Sequence, residues 1–154
     1  MIKALSSLSL GAIILCSCSC SLTGRGSLSD GPVSYTTILA GAHSAAESYS
    51  VKLIKNENEW EQAWLETAGN IDPLPARPSI NFDREFVIAA FMGERPSSGF
   101  KIEITKIIKK SNKLNVHITR FETPGMLPVV THPFCLVRLP RGDYQLELIE
   151  EMAR

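Results

Sequence analysis

The feature that most constrains this chain is an unbroken apolar run, FVIAAFM at residues 86–92, with turn-forming residues on either side. A run that does not alternate with polar residues reads as a central strand buried on both faces. Such a strand needs packed structure above and below it, which demands more than a single sheet with one wet side.

The surrounding segments supply candidates for those layers. Residues 35–41 (YTTILAG) and 49–55 (YSVKLIK) are rich in β-formers. Phe100, Ile102 and Ile104 alternate with Lys101, Glu103 and Thr105, and after a turn at 109–112 Leu114, Val116 and Ile118 alternate with Asn115, His117 and Thr119. These two strands read as a hairpin. FCLVRL at 134–139 follows, then a tight turn at Pro140-Arg141-Gly142-Asp143, then YQLELIE with Tyr144, Leu146 and Leu148 on one face. Gly142 is expected to serve a hairpin turn, which accounts for the Arg-Gly-Asp triplet without an integrin-type role.

One helix is expected, in NENEWEQAWLETAG. Asn58 can cap it, with Glu61 completing a capping box, Trp60, Ala63, Trp64 and Ala68 on one face, and Gly69 as the stop. Both tryptophans read as core packing. Loop 70–83 carries Pro73, Pro75 and Pro78, so it is expected to be extended and stiff. The fold class that follows is mainly β with one helix, an antiparallel β-sandwich or half-open barrel of about seven strands.

The N-terminus reads differently. Lys3 precedes a short apolar stretch at 4–15, too short to span a bilayer and suited to a signal peptide. Cys16, Cys18 and Cys20 follow at alternate positions, and Leu15-Cys16-Ser17-Cys18 resembles the bacterial lipoprotein box. Cys18 is therefore the expected lipidated residue, with Cys16 next, since Cys16 would put bulky Leu15 where a small residue is needed and Cys20 lacks an aliphatic residue three positions back. The division that results is a signal peptide at 1–17, a lipidated Ser/Gly-rich tether at 18–34 spanning roughly 22 Å, and one β-rich domain at 35–154. Such a protein is expected at the bacterial cell envelope, held to a membrane by lipid.

Sixteen basic residues balance sixteen acidic ones in the 154. No field steers nucleic acid to such a chain, so nucleic acid is not an expected partner. His43, His117 and His132 have no second His or Cys at ligand spacing, so neither a metal nor another cofactor is expected. Pro96-Ser97-Ser98-Gly99 lacks the first glycine of a nucleophile elbow. Cys135 sits among Phe134, Leu136 and Val137 and reads as a buried, unreactive thiol, with a Cys135 hydrolase using His132 as the weaker alternative. The chain is not expected to be an enzyme.

The segment that stands out is GERPSSGF at 93–100, between two good strands, where Pro96 stiffens and Gly99 permits unusual backbone. A second loop at 122–133 holds three prolines. GERPSSGFKIEI, the hairpin, and the late Thr131-His132-Pro133-Phe134 with Leu136-Val137-Arg138-Leu139-Pro140 resemble the PrcB C-terminal family, over about 50–148. Phe100 stands where that family often has Tyr. The resemblance implies a lipoprotein subunit of a bacterial surface protease complex. A non-enzymatic interaction domain is thus expected, binding or stabilising a cell-envelope protein such as a protease through Arg95, Pro96, Ser97, Ser98, Gly99, Phe100, Thr131 and Pro133. The alternative is a protease inhibitor acting through loop 94–100, which resembles the Pro-Thr-Thr-Gly loop of chagasin-like cysteine-protease inhibitors.

Overall fold

The computed structural model describes residues 29–153. The signal peptide, Cys18 with its alternative Cys16, and the tether as far as residue 28 lie outside the described residues. Eight strands and one helix follow in chain order: β1 (Gly31–Pro32), β2 (Thr36–Gly41), β3 (Ser50–Ile54), α1 (Glu57–Ala68), β4 (Glu85–Phe91), β5 (Lys101–Lys110), β6 (Lys113–Phe121), β7 (Phe134–Pro140) and β8 (Gln145–Ala153). They form two four-stranded sheets, β1-β5-β6-β8 and β2-β7-β4-β3. The sheets stay separate, so the architecture is a sandwich and not a half-open barrel.

The apolar run explains itself in this arrangement. From β4 onward, Phe86, Ile88, Ala90 and Met92 face the first sheet, where they meet Ile102, Ile104, Ile107, Leu114, Val116 and Ile118. Val87, Ala89 and Phe91 face the other way, onto Trp60, Ala63, Trp64 and Ala68 of α1. The second sheet is therefore the middle of three layers, and its central strands are covered on both faces over most of their length. Each large side chain buried there stabilises the fold by about 1.5–3 kcal/mol.

Helix α1 begins two residues earlier than the spacing of Asn58 and Glu61 suggests. Asn56 is the cap: its side chain accepts from the Glu59 N–H at 2.9 Å, and the Glu59 carboxylate reaches back to the Lys55 N–H at 2.7 Å. The sequence holds two overlapping Asn-x-x-Glu patterns. The earlier start puts Glu57 as well as Glu59 in the first turn, where the helix dipole favours them. Gly69 does end the helix, in an ordinary right-handed conformation. Both tryptophans are core residues, 5.8 Å apart between ring centroids, and their indole N–H groups fix the proline loop by donating to the Pro78 and Pro75 carbonyls.

Two expectations need correction. First, ordered structure starts inside the stretch assigned to the tether: Gly31 and Pro32 pair with Lys109 and Ile108, and Val33 is buried. Asp30 secures this entry, accepting from the Lys109 ammonium at 3.0 Å and the Ser111 N–H at 2.9 Å; the lysine above all holds its carboxyl below the usual range. Lys109 itself interrupts the apolar pattern, and the ion pair is what lets it be buried.

Second, Pro140-Arg141-Gly142-Asp143 is not a hairpin turn. Strand β7 belongs to one sheet and β8 to the other, where β8 runs parallel to β6, so the segment crosses between layers. Gly142 has no positive φ; a Cβ there would collide with the ring of Tyr144, which enters the core as the chain crosses. Tyr144, Leu146 and Leu148 do lie on one face, the inner one, with burial falling along the strand. Tyr144 is buried and Leu146 half-buried, while Leu148 lies at the open side of the sandwich. The β5–β6 hairpin also forms as expected, turning at Ser111.

Candidate functional site

Strands β2, β4 and β6 end, and β3, β5 and β7 begin, at one pole of the sandwich. Three connections meet there: 42–49, 93–100 and 122–133. Gly93 turns the chain out of β4 with φ 74°, and a Cβ on it would lie 2.9 Å from the Glu47 carbonyl oxygen. Glu94 then donates its N–H to that same carbonyl. Arg95 and Thr131 exchange both backbone hydrogen bonds, at 2.7 and 2.9 Å, in an isolated bridge.

Beyond the bridge the two proline loops are bound together along their length. Ser98 donates its N–H to the Leu127 carbonyl at 3.0 Å, its hydroxyl accepts from the Leu127 N–H at 3.2 Å, and its carbonyl accepts from Gly125. Gly99 adopts φ 93°, and a Cβ there would stand 2.6 Å from the Thr123 carbonyl oxygen. Only glycine tolerates both that conformation and that approach. Thr131 donates its hydroxyl to the Ser97 carbonyl at 3.0 Å. The 42–49 connection joins through the His132 N–H to Ala42 and through Ser44, whose N–H and hydroxyl both reach the His132 carbonyl.

This geometry redistributes the roles expected of the site residues. Thr131 is 2% exposed and Pro133 is buried, so neither can touch a partner. Thr131 is a rivet between loops, and the Pro133 carbonyl accepts from Met92 at the end of β4. Ser97, Ser98 and Phe100 are half-buried: the two serines hold loop against loop, and Phe100 packs on the inter-sheet core. Arg95 bends its guanidinium back to the Glu94 carbonyl at 2.7 Å. Pro96 and Gly99 reach the surface.

What projects instead is the stretch Met126-Leu127-Pro128-Val129-Val130. Met126 is fully exposed, Leu127 65%, Val130 51% and Val129 43%. Five apolar residues in a row on a rigid loop make a contiguous patch of the kind that marks interaction sites. The signal was present in the sequence: an apolar stretch without strand alternation, inside a proline loop. It carried no charge or catalytic residue type to draw notice.

No group of three His, Cys, Asp or Glu side chains that could hold a metal occurs among the described residues. Cys135 lies in the inter-sheet core, 5% exposed, and burial pushes its thiol pKa up. His132 lies half-buried at the loop pole with its Nε2 4.0 Å from the Glu94 carboxylate.

The chain enters the fold at the opposite pole. Gly31 pairs with Lys109 next to the Ser111 turn, while the loops flank Lys101 and Phe121 at the other end of β5. Eight residue steps of strand separate Lys109 from Lys101, roughly 26 Å.

A family described as PrcB C-terminal matches this chain over residues 86–140. No curated protein and no solved structure matches it. The matched stretch is narrower than the 50–148 of the sequence resemblance: it runs from the central strand β4 through the hairpin and both proline loops to the end of β7, and leaves out the tryptophan helix. Residues 86–140, the stretch that is similar to the PrcB C-terminal family, contain most of the loop pole.

Proposed function

We propose that this chain is a lipid-anchored, non-enzymatic docking domain that engages a cell-envelope protein, a protease by the family it resembles, through the loop pole. The observation that carries the proposal is the exposed apolar stretch 126–130, held on a frame of inter-loop hydrogen bonds. A patch that is already rigid loses little conformational entropy when a partner covers it. Lipidation at Cys18 would attach the chain on the side of β1, at the pole away from the loops. The patch would then face away from the membrane, towards proteins of the envelope.

The test is capture from envelope extracts followed by affinity measurement on the captured protein. Met126→Asp/Leu127→Asp is expected to weaken binding at least about thirtyfold, the effect of removing a central apolar anchor worth about 2 kcal/mol. Arg95→Ala should have a smaller effect, because its side chain is turned onto its own backbone. Equal affinity of the Met126→Asp/Leu127→Asp variant and the native chain would reject the reading. For the anchor, radiolabelled palmitate should enter the native chain and not a Cys18→Ser variant.

A further inference from the structure

The four outer sheet edges are not closed in the same way. The β2 ladder shifts register between Thr37 and Leu39. Strand β3 has only five residues and lies beside α1. The outer edge of β5 is taken up by β1, by the Val33 N–H on the Ile107 carbonyl and by the Tyr35 hydroxyl on the Ile104 carbonyl, and its ladder is shifted at Ile104/Lys106. These are the usual means of preventing further pairing. Strand β8 has none of them. Its nine residues keep continuous register with Lys113 to Phe121, it contains no proline, and among the described residues no backbone hydrogen bond reaches its outer side from Leu146 to Met152.

The side chains of β8 say what could pair there. On the outer face of the sheet stand Glu147 and Glu151, beside Lys113 at 3.4 Å and His117 at 3.9 Å on β6. Lys113 of β6 therefore lies beside one carboxylate of this acidic strand, and a basic strand on the free side would place cations against the same row of carboxylates. On the inner face Leu148 and Met152 remain 38% and 66% exposed on either side of Glu150, which accepts from the Tyr49 hydroxyl and pairs with Arg120. A second copy pairing β8 to β8 would bring carboxylates together, which is unfavourable. We infer that the free edge of β8 accepts an extended segment of another protein in which Lys or Arg alternates with apolar residues. Strand addition would give affinity through the backbone and specificity through alternate side chains. This surface is separate from the loop pole and does not rest on the function proposed there.

The experiment uses the full chain, isotopically labelled, and three capped nine-residue peptides: one alternating Lys with Val, one with Glu in place of Lys, and the Lys peptide N-methylated at alternate amides. The Lys peptide should slow amide exchange across residues 146–152 by about tenfold or more. Its binding should weaken as salt rises from about 50 to about 500 mM. The Glu and N-methylated peptides should leave exchange there unchanged. Glu147→Lys/Glu151→Lys, checked for folding by circular dichroism, should bind the Lys peptide at least about tenfold less tightly. Equal binding of the Lys and Glu peptides would overturn the inference. So would full binding of the N-methylated peptide, which would mean adhesion to acidic side chains alone. Protection of β8 in the peptide-free chain, whether by its own N-terminal residues or by self-association in sedimentation, would overturn it as well.

Discussion

Two glycines show how single residues hold this molecule together. Gly99→Ala forces a side chain into φ 93° against the Thr123 carbonyl, so we expect a loss of about 1–3 kcal/mol in urea unfolding. Faster amide exchange at Gly125 and Leu127 should accompany it, since Ser98 binds both. Gly142→Ala should cost a similar amount, about 1–3 kcal/mol, through overlap with the buried Tyr144 ring. The need for glycine at 142 was legible in the sequence; its reason was not, because the collision comes from packing and not from a turn. Ionisable groups give a third prediction. Burial is the first cause raising the pKa of Cys135 and of Tyr35, Tyr49 and Tyr144; at Tyr49 a hydrogen bond to Glu150 adds to it. The folded protein therefore keeps these protons longer than the unfolded chain. Their stabilisation is complete below the unfolded values, about 8.5 for thiol and about 10 for phenol, and fades as pH rises through them. The urea midpoint should fall between pH 8 and about 11, and fall less in Tyr49→Phe; a flat profile would contradict the burial.

At the scale of elements, the helix cap separates two readings that spacing alone could not. Asn56→Ala should cost about 1 kcal/mol in unfolding experiments, the usual effect of losing a cap, while Asn58→Ala should stay within about 0.5 kcal/mol. The reverse order would move the helix start back to Asn58. Elements whose evidence is local were legible: the two-sided burial of β4, the β5–β6 hairpin, and the tryptophan face of α1. Strand β1 was hidden because two residues, Gly31 and Pro32, carry no periodicity, and their pairing depends on Asp30 meeting Lys109 far along the chain. The parallel placement of β8 was hidden for a related reason. A short connection after β7 suggests a hairpin, whereas the chain crosses to the other sheet with Tyr144 buried in the inter-sheet core, a placement that depends on the assembled layers.

For the whole molecule, the important relation is between the two poles. Residues 93–100 and 122–133 were legible as a candidate site, but the sequence did not divide them into inward rivets such as Thr131 and an outward patch at 126–130. That division depends on which side of each loop faces its neighbour, a property of the assembled pole. The central claim is that this patch meets an envelope protein while the entry pole stays on the membrane side. It is tested most directly by placing a photoreactive amino acid in living cells, at Met126 in one strain and at Ser111 in another. One specific protein adduct is expected from Met126 and none of it from Ser111. The same adduct from Ser111 with none from Met126 would contradict it.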